Sequence, residues 1–190
     1  FDHIARRLQR LRTVLADEGV DVLVLLVAEN YNSESVTYIS GFRGSSAAVV
    51  ISADKAFLVT DGRYALQAKE QSPFNVVLQE QRTLQEKIAD VLYGEGWLIG
   101  GYEGERLSVS FFRTLEKSLP HWKDCSALLP TLRRRKDDLE VAAIVTPGEI
   151  AYSSDGEVLG CVREGMKETE LNALLEYSRR KRGAEAGGKG

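Results

Sequence analysis

The chain has 190 residues, 43% of them apolar and 28% charged, the balance of an ordinary globular protein with room for one domain and part of a second. Its formal net charge of −3 excludes the basic footprint of a nucleic-acid binder. The longest apolar run, Val22–Ala28, falls far short of the ~20 residues of a membrane span, and Phe1-Asp2-His3 opens no signal-peptide pattern.

Ile4, Leu8, Leu11 and Leu15 share one face of a predicted first helix, with arginines and Gln9 opposite and Gly19 placed to close it. The run from Val22 to Val27 is short, continuous and β-branched, which predicts a strand buried on both faces. Residues 29–35 are polar and read as a loop. Residues 47–51 and 56–60 are apolar runs joined by Ser52-Ala53-Asp54-Lys55, the pattern of a β-hairpin. Further on, 62–71 reads as helix, 74–78 as strand, 84–93 as helix and 97–99 as a short strand. Ser108 is suited to cap a helix running to about Leu119. A last strand is expected near 126–129. The fold class is therefore α/β, a mixed β-sheet flanked by helices and followed by a short helical segment.

Beyond Leu132 only helical pattern remains, over 139–145, 150–162 and 168–182, with Pro147-Gly148 expected to interrupt the first. The boundary is placed accordingly, at 1–132 and 133–190. Ala186-Gly187-Gly188-Lys189-Gly190 shows no pattern that would order it.

No complete active site is visible. His3 and His121 are the only histidines, and His121 with Cys125 makes too few ligands for zinc. Cys125 and Cys161, far apart in sequence, read as reduced thiols of a cytoplasmic protein. Gly41-Phe42-Arg43-Gly44-Ser45-Ser46 lacks the phosphate-binding glycine pattern and predicts a tight turn. The run Arg133-Arg134-Arg135-Lys136 is answered at once by Asp137, Asp138 and Glu140, as on a solvated helix start. Asp61-Gly62-Arg63-Tyr64 reads first as a capped strand–helix junction; in a functional reading the planar fork of Arg63 holds a carboxylate.

Several segments together resemble the creatinase/prolidase family. Tyr38-Ile39-Ser40-Gly41-Phe42 with Gly44-Ser45-Ser46-Ala47 is similar to one family element. Thr60-Asp61-Gly62-Arg63-Tyr64 with Gln67-Ala68 is similar to a second, and Leu107-Ser108 with Phe112 and Leu115 to a third. Leu132-Arg133, Lys136-Asp137 and Glu140 resemble the signature leading into the family's catalytic domain. Gly165-Met166, Glu168, Glu170-Leu171 and Gly183-Ala184-Glu185 resemble a stretch just inside it. Two departures stand out: Pro147-Gly148, where the family runs a long helix, and the glycine-rich residues after Glu185.

The resemblance implies a dimerising, substrate-restricting N-terminal domain of a peptidase that cleaves beside proline. It implies two divalent metal ions, manganese, cobalt or zinc, in a catalytic domain of which this chain holds only the first helices, so no catalytic residue and no metal ligand is assigned here. A homodimer, a proline-containing peptide substrate and a cytoplasmic location complete that expectation, with no nucleic acid or membrane as partner. Asn30, Tyr31 and Asn32, by loop position, and Arg63 are the candidates for the substrate rim. The alternatives are a free-standing, non-catalytic peptide- or protein-binding module of the same fold, and creatine hydrolysis by a creatinase-like parent.

Overall fold

The run from Val22 to Ala28 forms the central strand of a six-stranded mixed sheet. The structure, a computed structural model, describes residues 1–29 and 31–185. Asn30 and residues 186–190, with the expectations that fell on them, lie outside the described residues. The chain forms two units, Phe1–Arg135 and Lys136 onward.

In the first unit, α1 (Asp2–Asp17) lays Ile4, Leu11 and Leu15 on the sheet and ends at Gly19, whose positive φ of 67° suits a residue without a Cβ. β1 (Val22–Ala28) follows, then α2 (Ser33–Ser40), then the hairpin β2 (Ser46–Ser52) and β3 (Ala56–Thr60). A 3-10 turn at Gly62–Tyr64 leads into α3 (Ala65–Gln71) and β4 (Asn75–Leu78). α4 (Leu84–Leu92) starts in a reciprocal cap between Thr83 and Glu86. β5 (Ile99–Tyr102) and α5 (Val109–Leu115) come next, and the Ser108 hydroxyl accepts from the Phe111 N–H as its sequence position predicted. β6 (His121–Asp124) and α6 (Leu128–Arg134) complete the unit.

The strand order is β4-β3-β2-β1-β5-β6. Only β2 opposes the others: it is antiparallel to β1 and β3, while β1–β5, β3–β4 and β5–β6 are parallel. Leu23, Leu25 and Val27 point to a core under α1, α2, α3 and α6, and Val22, Val24 and Leu26 to a core under α4 and α5. Burial on both faces explains why β1 is apolar without alternation. Gly100 in β5 is a packing requirement, since a Cβ there would lie 2.6 Å from the Trp122 ring.

Four local expectations are corrected. Ser33–Ser40 is helical although its first turn reads as loop: the polar Ser33, Glu34 and Ser35 precede only three apolar side chains, Val36, Tyr38 and Ile39, too few to show a period. β5 lies at Ile99–Tyr102, two residues beyond the expected strand, because its own glycines conceal it. The last strand is His121–Asp124 and not 126–129; as a largely exposed edge strand it carries no apolar alternation, and Leu129 and Leu132 belong to α6.

The fourth correction concerns the second unit. Here α7 (Asp138–Leu159) passes through Pro147-Gly148 unbroken, and α8 (Glu168–Lys181) packs on it. Proline removes a single donor, and the helix continues because the bonds on either side remain and Asp137 and Glu140 cap its start. The two helices meet at buried Ser154, Val158 and Ser178, tied by Arg179–Asp155 at 2.9 Å and Arg182–Glu157 at 2.7 Å. Leu139, Val141, Ile144, Val145, Tyr152 and Leu159 of α7 stay exposed within this unit. A helix apolar around its circumference is one suited to burial in a larger core.

Candidate functional site

The strands β1 and β5 are parallel neighbours, yet the helices that follow them cover opposite faces: α2 packs in one core and α5 in the other. In open α/β sheets, divergence of this kind marks the edge beyond the carboxyl ends of the strands as the place where ligands are held. Polar side chains of the first unit converge there.

Glu103 follows β5 directly and is 3% exposed. Its Oε2 accepts from Asn32 Nδ2 at 2.6 Å and its Oε1 from the Ser35 hydroxyl at 3.2 Å. Asn32 Nδ2 also donates to the Leu26 carbonyl at 3.0 Å. One nitrogen facing two acceptors defines the orientation of the amide. Asn32 Oδ1 is then buried with no donor among the described residues. The backbone of Asn32 is left-handed, at φ 66° and ψ 25°, a conformation that asparagine tolerates better than most residues.

Around this buried core the contacts are more exposed. Tyr31 Oη donates to the Glu105 carbonyl at 3.1 Å, and the Arg106 guanidinium lies 5.3 Å from the centre of the Tyr31 ring. Arg106 also pairs with Glu34 at 3.0 Å. From the end of β6, Asp124 accepts from Gly104 N–H at 3.2 Å, and bonds from Ser126 hold its carboxyl below the usual range.

Burial pushes the Glu103 carboxyl above its ordinary value near 4.5; the bonds from Asn32 and Ser35, and Arg106 nearby, pull the other way without cancelling it. A raised folded value means that the folded chain binds the proton more tightly than the unfolded one. The Glu103 contribution to stability is therefore fully present below about pH 4.5 and is lost as pH rises through the folded value. Replacing Glu103 with Gln is expected to gain on the wild type as pH rises from 4.5 to 7. Urea unfolding at the two pH values checks it, and a difference that does not change with pH would contradict it.

Of the residues singled out from sequence, Tyr31 and Asn32 are in this cluster, Tyr31 at its exposed edge and Asn32 inside it. Asn30 lies outside the described residues. Arg63 follows β3, whose carboxyl end shares this edge of the sheet two strands from β1. Its guanidinium is bonded to Asp61 at 2.8 and 3.0 Å and faces the Tyr64 ring, while Asp61 caps the 3-10 turn through the Arg63 N–H. Glu103, Ser35, Glu34 and Arg106 were not singled out. Their one sequence signal is an acidic residue directly after a strand, which gains meaning only once that strand is known to lie beside β1.

Among the described residues no group of three His, Cys, Asp or Glu side chains could hold a metal ion. Among them too, no helix is long and apolar enough to cross a membrane. Cys125, buried, and Cys161, exposed, are both free thiols.

A mixed six-stranded sheet with this strand order, covered by helices on both faces, defines an α/β domain of a particular class. The model of the creatinase/prolidase N-terminal domain matches residues 7–135, and the chain belongs to that family. An uncharacterized peptidase of Bacillus subtilis (strain 168), YqhT, is 27% identical over 186 residues, covering 95% of this chain and 50% of that protein. The crystal structure of an X-Pro aminopeptidase from Thermotoga maritima MSB8 matches with a TM-score of 0.86 at 31% identity, over 95% of this chain and 50% of that one. A Xaa-Pro dipeptidase from Bacillus anthracis matches with the same TM-score at 26% identity, over 96% of this chain and 50% of that one. The chain thus spans about half the length of these relatives.

Proposed function

We propose that this chain is the N-terminal, dimerising and substrate-restricting half of a metal-dependent Xaa-Pro peptidase, which hydrolyses the peptide bond beside proline. The observation that carries the reading is the extent of the match: 95% of this chain, its second unit included, aligns with half of an X-Pro aminopeptidase. The apolar circumference of α7 supports it, as the first helix of a larger catalytic domain should be apolar on the faces that the domain later covers. On this reading residues 1–132 form the N-terminal domain and 133–190 lead into the catalytic one. Two divalent ions, manganese, cobalt or zinc, would be held by residues of that second half and would supply Lewis-acid chemistry there. A cytoplasmic homodimer is the corresponding assembly, with Tyr31 and Arg63 exposed on the edge of the sheet that meets the proline-containing peptide and Asn32 buried behind Tyr31.

The test begins with the purified 190-residue chain, incubated with a Xaa-Pro dipeptide and manganese, cobalt or zinc. No hydrolysis is expected, and clear turnover would overturn the reading. An immunoblot of the source cell supplies the second half of the test. A band well above 21.1 kDa is expected; a band at 21.1 kDa would favour a free-standing peptide-binding module instead.

A further inference from the structure

Two departures from ordinary packing coincide at Asn32. Its backbone is left-handed and its buried Oδ1 has no donor among the described residues. Either one costs about 1–3 kcal/mol in general, and such costs persist where surrounding structure holds the residue for another purpose. What holds it is Glu103. Asn32 stands at the N-cap of α2 but makes no side-chain cap bond there. Its amide is turned inward to the Leu26 carbonyl and the Glu103 carboxylate. The other Glu103 oxygen takes the hydroxyl of Ser35, in the first turn of the same helix. A carboxylate just beyond the end of β5 therefore grips the start of α2 at two points.

We propose that Glu103 is a positioning residue, which pins the start of α2 to the end of β5 and thereby presents Tyr31 on the exposed edge beyond the carboxyl ends of β1 and β5. Tyr31 immediately precedes Asn32 and is 56% exposed. It is held on one side by its backbone bridge to Ala28 and on the other by the turn that Glu103 begins, through the Glu105 carbonyl and Arg106. Glu103 carries no chemistry of its own here. Its effect on a substrate passes through Tyr31, and that part rests on the rim reading given above.

Glutamine can reproduce both contacts: its carbonyl accepts from Asn32, and its amide donates to the Ser35 hydroxyl, which accepts as readily as it donates. Alanine reproduces neither. Hydrogen exchange of the 190-residue chain is therefore measured for wild type, Glu103→Ala and Glu103→Gln. The expected result is exchange about tenfold faster or more over residues 31–40 in Glu103→Ala, near wild type in Glu103→Gln, with residues 47–51 of β2 unchanged in both. Equal acceleration in both segments, or none in 31–40, would overturn the proposal.

The longer protein proposed above decides the link to substrate. There Glu103→Ala is expected to raise KM for a Xaa-Pro peptide about as much as Tyr31→Ala, with kcat within about twofold. The double variant should be no worse than either alone, and additive effects would overturn the route through Tyr31. If Tyr31→Ala leaves KM unchanged while the exchange result holds, the rim reading fails and the positioning of α2 stands.

Discussion

Replacing Leu25 with alanine is expected to destabilise the first unit by about 2–5 kcal/mol, a large share of the stability of a domain this size. Leu25 is 0% exposed and lies at the middle of β1, paired opposite Val49. Its side chain enters the core closed by α1, α2, α3 and α6. The strand is held by β2 on one side and β5 on the other, so the backbone cannot move to fill the space left by the shortened side chain. That restraint places the cost above the transfer energy of the lost methyl groups alone. Leu66, 70% exposed on α3, is the control, and its replacement by alanine should change stability by no more than about 0.5 kcal/mol. Urea denaturation of both variants checks the pair. A loss below about 1 kcal/mol for Leu25→Ala would be inconsistent with a central, doubly covered β1.

The second large effect has the opposite sign. Replacing Pro147 with alanine is expected to stabilise α7 by up to about 3 kcal/mol, the difference in helix propensity between the two residues. The gain has two sources: alanine restores an N–H donor to the helix ladder and removes the clash of the proline ring with the preceding turn. Because α7 already runs from Asp138 to Leu159, the substitution should raise the thermal midpoint of the second unit while adding little new helix to the circular dichroism spectrum. A large increase in helix content would mean that the native segment breaks at Pro147. An unchanged midpoint would mean that the proline imposes no strain on α7.

Much of the architecture was legible in the order of residues. The face of α1, the buried run of β1, the two apolar runs of the hairpin, and the caps at Ser108 and Asp61 all depend on neighbours within a few positions, where local chemistry and period suffice. Two of the family motifs, residues 60–68 and 107–115, lie at those two caps. The unread parts share a different dependence. α2 is short and polar at its start, and it is held by Glu103, 68 residues beyond Ser35. β6 is an exposed edge strand whose place comes from pairing with β5, not from any pattern of its own. Pro147 argued for a break that the bonds on either side override.

The candidate site divides along the same line. Loop position alone pointed to Tyr31 and Asn32, and the strand–turn junction pointed to Arg63. The carboxylate that organises the first two was invisible, because Glu103 acquires its meaning only when parallel pairing sets the end of β5 beside the end of β1. The sequence by itself determined which segments are apolar enough to build the sheet, where several helices start, and which family the chain resembles. The tertiary structure alone decided which polar residues meet, since burial of a carboxylate against an amide and a hydroxyl is a relation between distant segments that no local period encodes.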